Sequence, residues 1–406
     1  MPRVPAVTEG RQSVRGRRAR LGRFGRVSHY LDPLDGSTYP LDEPRWCSAA
    51  GRPLWIEPGP GIGRDDIDTT QRSLWRYRAA LPVHLTGPIT LGEGLTPLLE
   101  QDWGESGRVL VKADWLNPTG SFKDRGSSVL LSYLRERGVA AVVEDSSGNG
   151  GSSVAGYGTA GGLQVTIVAP ESTSSAKIAQ VRAYGAAVEL VPGPREASQQ
   201  AAIRIAQSGS AVYASHNWQA FFLQGTKTLG YELWEDLGYR APDNVILPVG
   251  AGSSLLGCSL AFAELLAAGQ IRRLPRLFAA QPLHCSPLDA SVTAGVDTPV
   301  DRPVLPTIAE GTAIARPLRL AQMVAAVRDS GGGTVAVPEE DIVAALARLC
   351  GRGLFVEPTS ATAAAAHARL RAAGTIRAEE TTVVMLSGSG LKAASTVADL
   401  VQPVPD

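Results

Sequence analysis

The sequence has few cysteines and no long apolar run, and both shortages exclude classes of protein. The four cysteines are scattered and form no C-x-x-C pair, so neither a disulfide framework nor a zinc site is predicted. The five histidines show no metal-ligand spacing. No apolar run reaches the length of a membrane span. We therefore expect a reduced, cytoplasmic protein with no bound metal and no membrane partner.

Excess charge of either sign is also missing from the chain as a whole. The sequence has 39 Lys and Arg against 39 Asp and Glu, so no nucleic-acid partner is expected. Residues 1–26 are the exception, with eight arginines and a single acid, Glu9. That stretch has no periodic apolar pattern and is predicted to be a disordered basic tail. An arginine-rich, acid-poor start is also typical of an organelle transit peptide.

Short apolar segments alternate with longer amphipathic ones from about residue 85 onward. Strands are predicted at 109–113, 140–143, 165–168, 188–191, 212–214, 245–248, 277–280, 335–337 and 382–386. Helices are predicted at 127–134, 175–184, 196–207, 226–237, 255–268, 338–349 and 360–373. This alternation indicates buried parallel strands with crossover helices, and 406 residues suffice for two such domains.

The predicted fold class is therefore α/β, with two doubly wound parallel-sheet domains. The join between them is expected near residues 215–220, which gives domains at 85–215 and 216–400. Residues 27–84 are rich in Pro, Gly and Trp and show few clear periods. They are predicted to form an N-terminal extension folded onto the core.

A single lysine, Lys123, stands between a predicted strand at 109–113 and a predicted helix at 127–134. A lysine at such a turn, shielded by the neighbouring Phe122, can lose its proton and attack an aldehyde. These are the requirements for a Schiff-base lysine. An ordinary turn with a solvated lysine is the alternative.

Three Gly/Ser-rich loops follow predicted strands, where open α/β sheets bind ligands. The loop at 146–153 offers bare N–H groups, hydroxyls and an amide, which suit a phenolate or carboxylate oxygen. The second loop precedes a predicted helix and is expected to cradle a phosphate; it reads Gly250-Ala251-Gly252-Ser253-Ser254. The third, at 387–392, follows the last predicted strand. Taken alone, each loop also fits a flexible or sheet-closing turn.

Together these motifs resemble those of threonine synthases, which are pyridoxal 5'-phosphate (PLP) enzymes of the tryptophan-synthase-β-like class, fold type II. The resemblance covers about residues 27–395. It rests mainly on the run Asn117-Pro118-Thr119-Gly120-Ser121-Phe122-Lys123-Asp124-Arg125-Gly126, on Ser146-Ser147-Gly148-Asn149, on the loop at 250–254 and on Ser387-Gly388-Ser389-Gly390-Leu391-Lys392. It implies PLP in the cleft between the two domains, an amino-acid substrate that is phosphorylated, and a homodimer.

The resemblance also implies roles for individual residues. Lys123 would hold the cofactor, with Phe122 beside it, and would then act as the base. Asn149 would bond the cofactor's ring hydroxyl, and Ser387 would face its pyridine nitrogen. The phosphate would lie on the loop of Gly250, Ala251, Gly252, Ser253 and Ser254. The substrate would be bound by Ser146, Ser147 and Thr119.

Two departures from the family pattern bear on metal and substrate. The stretch 39–56 resembles a decayed zinc ribbon in which only Cys47 remains, with Ala50 in the place of its partner. Many threonine synthases have a phosphate-clamping arginine where this chain has 215–222, and none stands there. Trp218, Phe221 and Phe222 occupy the segment; core packing is favoured for them over a substrate-pocket wall.

Nearby basic residues do not obviously replace the missing clamp. Arg182, Arg195 and Arg204 lie on predicted helices, and Lys177 is a further candidate if it reaches the site.

The leading hypothesis is a lyase that converts O-phosphohomoserine and water to threonine and phosphate. A PLP enzyme of β-elimination or β-replacement, such as a Ser/Thr dehydratase or a phosphoserine-using synthase, is the second. A catalytically silent binder of PLP or another metabolite is the third, and intact Lys123, Asn149 and Ser387 disfavour it.

Overall fold

The structure is a computed structural model that describes residues 28–173 and 175–401, without the side chains of residues 175–177. The predicted basic tail at 1–26 lies outside the described residues. So does the side chain of Lys177.

The described residues form twelve strands. These are β1 (His29–Leu31), β2 (Thr38–Pro40), β3 (Leu98–Asp102), β4 (Arg108–Lys112), β5 (Ala141–Glu144), β6 (Gln164–Pro170), β7 (Ala187–Val191), β8 (Val212–Tyr213), β9 (Asn244–Pro248), β10 (Arg276–Pro282), β11 (Gly333–Val337) and β12 (Thr382–Met385).

Twelve α-helices alternate with these strands in the same described ranges. They are α1 (Lys123–Glu136), α2 (Asn149–Ala160), α3 (Ser175–Ala183), α4 (Arg195–Gln207), α5 (Ala220–Thr226), α6 (Thr228–Asp236), α7 (Ser253–Ala267), α8 (Pro287–Ala294), α9 (Leu320–Asp329), α10 (Glu339–Cys350), α11 (Pro358–Ala372) and α12 (Ala394–Leu400).

Two sheets carry the fold. The smaller has the order β7-β6-β5-β8 and is parallel throughout. The larger has the order β11-β10-β9-β12-β4-β3 and is parallel except for β3, which pairs antiparallel with β4. The short pair β1-β2 stands apart from both. The predicted α/β class with parallel sheets is confirmed.

The sheets do not divide the chain where the domain prediction does. Strands β3 and β4 precede α1 in sequence, yet β4 pairs with β12, with Leu110 opposite Val383. Val109 and Val111 of β4 are buried among C-terminal residues such as Val384. Strands β3 and β4 therefore belong to the larger sheet, although they lie before the predicted boundary in sequence. The assignment of one sheet each to 85–215 and 216–400 is therefore wrong for β3 and β4, and the bounds themselves stay a prediction.

The first turn of α2 lies in the segment 146–153 that is predicted to be a loop, and glycine disfavours helix by about 1 kcal/mol per residue. Close packing explains why this glycine-containing segment is nevertheless helical. A Cβ on Gly151 would lie 1.8 Å from the carbonyl oxygen of Ser146, and one on Gly158 would lie 2.4 Å from Val165. Glycine is therefore needed for α2 to approach β6 and the turn after β5, and tertiary contacts outweigh propensity.

A buried ionic network anchors α1. The Arg125 guanidinium lies 2.8 Å from carboxylate oxygens of both Asp114 and Glu232, and Lys112 Nζ lies 2.6 Å from Glu232. All four side chains are fully buried. The network ties α1 to β4 and α6, and it fixes the position of Lys123 at the first turn of α1.

The N-terminal extension packs onto the core, as predicted, and it contacts the clusters of both sheets. Tyr30, Leu54 and Trp75 are buried in one cluster with residues of α1 and α2. Phe221 and Phe222 belong to that cluster, which confirms core packing for both. The Phe221 ring stacks on Tyr133 at 3.7 Å.

Two further findings concern metals and membranes. In residues 28–173 and 175–401, no group of three or more His, Cys, Asp or Glu side chains is placed to hold a metal ion. None of the helices described above has the length and apolar character that a membrane crossing requires.

Candidate active site

A cavity of about 880 Å³ opens at the carboxyl ends of strands from both sheets. The loops after β5, β9 and β12 line it, together with the first turn of α1. All the residues that the sequence predicted for cofactor or substrate contact line this one cleft: Thr119, Phe122, Lys123, Ser146, Ser147, Asn149, Gly250, Ala251, Gly252, Ser253, Ser254 and Ser387. Their roles stay predictions.

Lys123 is the first residue of α1, rather than lying in a turn before the helix as predicted. Its Nζ lies 4.8 Å from the ring centre of Phe122 and 5.9 Å from that of Phe222. Burial lowers the pKa of Lys123 to about 8, with a further contribution from Arg195 that the charges of Glu144 and Glu357 oppose. About one lysine in ten is then neutral at pH 7, so an amine nucleophile is available near neutrality.

The loop from Gly250 to Ser254 joins β9 to the first turn of α7. Gly252 has φ +86°, and a Cβ there would lie 2.0 Å from Met323 Sδ. A Cβ on Gly250 would lie 2.8 Å from the Cα of Thr312. The hydroxyl of Ser253 is buried and has no hydrogen-bond partner among the described residues. An unpaired hydroxyl at the start of a 15-residue helix fits a phosphate group.

Ser387 follows β12 on the other side of the cleft and is buried. Its Oγ lies 3.3 Å from Ser360 Oγ. The backbone N–H groups of Ser387 and Gly388 both donate to that Ser360 oxygen, at 2.9 and 3.0 Å. Ser360 thus fixes the loop that presents the Ser387 hydroxyl.

Asn149 contacts the carboxyl group of Glu357, a residue to which the sequence analysis assigns no role. Its Nδ2 donates to the two oxygens of Glu357 at 3.2 and 3.1 Å. Burial raises the pKa of Glu357, while Asn149, Lys392 and Lys123 oppose that rise. The Asn149 amide nitrogen is thereby engaged by Glu357 on the wall of the cleft.

The hydroxyls predicted for substrate contact differ in how far they are already engaged. Thr119 Oγ1 donates to Asp124 at 2.5 Å, and its backbone N–H donates to the same carboxylate at 2.7 Å. Ser146 Oγ accepts only a long bond of 3.3 Å, from the N–H of Gly148. Thr119 therefore holds the turn before Lys123, and Ser146 is freer to contact a ligand.

A buried His–Glu pair lies in the same cleft. His216 Nδ1 is 2.6 Å from Glu144 Oε1, and the backbone N–H of His216 donates to Oε2 at 3.2 Å. Burial raises the pKa of Glu144, and burial together with Lys123 and Arg195 lowers the pKa of His216. The sequence analysis missed this pair, whose members are 72 residues apart. Each residue lies at or just after the end of a predicted strand, but the pairing of those two strands is visible only in the structure.

Arg195 is a third residue whose position corrects the sequence analysis. It was set aside because it lies on a predicted helix, but it is the first residue of α4 and lines the cleft. Its charge lowers the pKa of both Lys123 and His216. It makes no salt bridge with a residue that the structure describes. Trp218, in the segment where the family's clamp is expected, packs against Trp46, with the two ring centres 5.2 Å apart.

The side chains gathered here fit pyridoxal 5'-phosphate. Lys123 can supply a neutral amine for its aldehyde, and the buried Ser253 hydroxyl, unpaired among the described residues, can donate to its phosphate. Glycines at 250 and 252 allow the loop to pack closely against Thr312 and Met323. Ser387 offers a neutral partner for the ring nitrogen.

Comparison with known proteins gives a consistent result. Residues 89–388 match the family described as pyridoxal-phosphate dependent enzyme. The chain is 32% identical over 349 residues to a threonine synthase of Methanosarcina acetivorans, covering 84% of this chain and 85% of that one. It is 32% identical over 370 residues to the threonine synthase of Methanocaldococcus jannaschii, covering 88% and 91%.

Among solved structures, the fold is similar to the processed form of threonine deaminase isoform 2 from Solanum lycopersicum. The TM-score is 0.65 at 24% identity, over 75% of this chain and 82% of that one. At 24% identity, this similarity shows a shared fold and nothing about activity.

Proposed function

This chain belongs to the family of pyridoxal-phosphate dependent enzymes, and from that premise we propose that it is a threonine-synthase-like lyase. Its reaction converts O-phosphohomoserine and water to threonine and inorganic phosphate. The observation that carries the proposal is the convergence of Lys123, the Gly250–Ser254 loop and Ser387 in one cleft. The threonine synthases that are 32% identical over most of the chain support the choice of reaction.

The predicted cofactor contacts follow from the positions in the cleft. Lys123 would hold the cofactor through its aldehyde carbon, and the Gly250–Ser254 loop would bind its phosphate at the N-terminus of α7. When bound, pyridoxal phosphate supplies an electron sink for negative charge at the substrate α-carbon. The neutral hydroxyl of Ser387 cannot hold the ring nitrogen protonated as a carboxylate would, which suits elimination and replacement at side-chain carbons.

Once the substrate amine has displaced it from the cofactor, Lys123 would also be the base that removes the substrate α-proton. A base works best when its pKa lies near the working pH, and burial gives Lys123 a pKa of about 8. The rings of Phe122 and Phe222 keep water from one side of the amine. The proton moves to Nζ from the α-carbon.

Arg195 supports the choice of a phosphorylated substrate. It brings a guanidinium to the cleft wall, where the family's clamp in segment 215–222 is replaced by Phe222. A charge-assisted contact with phosphate contributes roughly 1.5–3 kcal/mol. Arg195 is thus the candidate for binding the leaving phosphate.

Incubation of the holoenzyme with O-phosphohomoserine tests this proposal. Threonine and inorganic phosphate are expected in equal amounts. Phosphate without threonine, or neither product, would contradict it.

A second candidate function is removal of water from serine or threonine. The absence of Arg and Lys from the segment 215–222 favours it, because a hydroxyl leaving group needs no cation there. Keto acid and ammonia formed from threonine, with no turnover of O-phosphohomoserine, would select this candidate.

The domain bounds and the homodimer also remain proposals. The bounds rest on the alternation of predicted strands and helices, and the homodimer rests on the resemblance to the family. Sedimentation of the holoenzyme at a mass of two chains would support the homodimer.

A further inference from the structure

The His216–Glu144 pair is built into the cleft by the register of the smaller sheet. In that register Val143 of β5 lies opposite Tyr213 of β8. Glu144, the last residue of β5, and His216, three residues after the end of β8, therefore meet at the carboxyl edge of the sheet, where ligands bind. The His216 ring also packs closely against the backbone of α2 at Gly150, where an added Cβ would lie 2.6 Å from His216 Nδ1.

Only one ring nitrogen of His216 is available to a ligand. Nδ1 is bonded to Glu144 at 2.6 Å, so Nε2 is the nitrogen left on a ring that lines the cleft. The ring packs at 5.8 Å from Phe222, which also lies beside Lys123. A histidine held by a carboxyl group, with no hydrogen bond to its second nitrogen from a residue that the structure describes, has the arrangement of a general base and its orienting partner.

The surrounding charges keep the imidazole neutral. Lys123 of α1 and Arg195 of α4 both face His216 and lower its pKa, in addition to burial. Asp145 adds negative charge beside Glu144, and its carboxylate accepts a hydrogen bond of 2.7 Å from Tyr213. The neutral imidazole is the form that can accept a proton at Nε2, and the carboxyl group of Glu144, hydrogen-bonded to Nδ1 at 2.6 Å, can stabilise the charge that results.

We propose that His216, oriented by Glu144, is a second proton-transfer residue of this enzyme and activates the water that adds to the substrate. This inference rests on the proposed function, in which water is a substrate. Lys123 takes the α-proton, and a different base at a different place is then needed for the water.

The proton transfer balances as follows. The water oxygen forms a bond to the substrate β-carbon, and the carbon's displaced electron pair moves toward the α-carbon. One O–H bond of the water breaks, and its proton goes to His216 Nε2. His216 later releases that proton to solvent, so the residue is unchanged after turnover.

Product partitioning tests this role. If water does not add, loss of phosphate ends, after hydrolysis, in 2-oxobutanoate and ammonia instead of threonine. General acid–base catalysis contributes about 10²–10⁴-fold to a rate. We therefore expect His216→Gln to lower the threonine formed per phosphate released by roughly tenfold or more, with 2-oxobutanoate in its place.

Two other readouts accompany the product ratio. Exchange of the substrate α-proton with deuterated solvent, followed by NMR, is expected to continue in His216→Gln, since Lys123 performs it. The visible absorbance of the bound cofactor is expected to persist. His284→Gln is the matched control, because His284 also pairs with a glutamate, Glu339 at 3.6 Å, and does not line the cleft.

Glu144 is a positioning residue, and its variant gives an independent result if His216→Gln fails to fold. In Glu144→Gln the imidazolium loses its counter-charge, so the pKa that governs the product ratio is expected to move to lower pH. A purely structural role for Glu144 would leave that pKa in place.

The outcomes distinguish the two proposals. An unchanged ratio of threonine to phosphate in both variants, in an enzyme whose wild type forms threonine, overturns the role of His216 alone. A wild type that forms no threonine overturns the proposed function and this inference with it.

Discussion

Gly252 lies so close to Met323 that a single added carbon would overlap the thioether. The hypothetical Cβ stands 2.0 Å from Met323 Sδ, and the backbone has φ +86°. Both facts require glycine at this position of the loop that joins β9 to α7. The contact ties the phosphate cradle to α9, and it gives the first prediction.

Gly252→Ala is expected to weaken the binding of pyridoxal phosphate by roughly tenfold or more, because the loop must move away from Met323 and lose its N–H geometry. Gly269→Ala is the control, since Gly269 follows α7 with φ +69° and has nothing within 4 Å of its Cβ position. It should cost about 1–2 kcal/mol in backbone strain and leave cofactor affinity unchanged. Fluorescence titration of the apoprotein measures both. Equal affinity in the Gly252 variant would contradict the cradle assignment.

Arg195→Gln is expected to raise KM for O-phosphohomoserine by about ten- to a hundredfold, the equivalent of roughly 1.5–3 kcal/mol in a charge-assisted contact. The exposed Arg204 on the same helix is the matched control, and Arg204→Gln should leave KM unchanged. Steady-state kinetics with O-phosphohomoserine measures the effect. A KM that is insensitive to Arg195 would leave the phosphate clamp unassigned.

Attachment of the cofactor to Lys123 is expected to speed up with pH. The pKa of this lysine is lowered from 10.5 to about 8, and only the neutral amine attacks an aldehyde. The rate of cofactor uptake by the apoprotein should therefore rise between about pH 7 and 9 and level off above. Stopped-flow absorbance would follow it. A rate that keeps rising tenfold per pH unit up to about pH 10 would show an ordinary lysine pKa.

Glu232→Gln is expected to destabilise the protein by about 3–5 kcal/mol, because it leaves buried Arg125 and Lys112 without their shared carboxylate. Burial opposes ionisation of Glu232, but the charges of Arg125 and Lys112 outweigh it and hold its pKa well below the ordinary 4.5. A depressed carboxyl pKa stabilises the fold above the unfolded-state value and loses that effect as pH falls through the folded-state value.

The difference between wild type and Glu232→Gln should therefore shrink as pH is lowered below about 4.5. Urea unfolding at pH 7 and at pH 4 checks this. Glu100→Gln, which breaks the exposed pair with Arg108, should change stability by less than about 1 kcal/mol. A loss as small as that in Glu232→Gln would contradict the network's role.

The parts predicted well from sequence are those determined by local pattern. Buried strands such as β9 and β12 are short apolar runs, and the Gly-rich loops after them follow from their place at strand ends. The parts that were missed depend on contacts between distant residues. Strand β4 joins the larger sheet through β12, and α2 forms because Gly151 and Gly158 permit close packing. Neither feature is visible within a local window.

The same distinction holds for the cleft. Lys123, Asn149 and Ser387 stand in motifs that can be read directly. Arg195 was set aside because its position on a helix does not say which way the helix start faces. Glu144 and His216 become partners only through the register of β5 and β8.

Borohydride trapping of the holoenzyme tests the central claim most directly. Reduction followed by peptide mapping is expected to place the cofactor on a single peptide that contains Lys123. Lys123→Ala should fold normally, as judged by circular dichroism, and should have no turnover. Cofactor fixed to any other lysine, or turnover that survives in Lys123→Ala, would contradict the account.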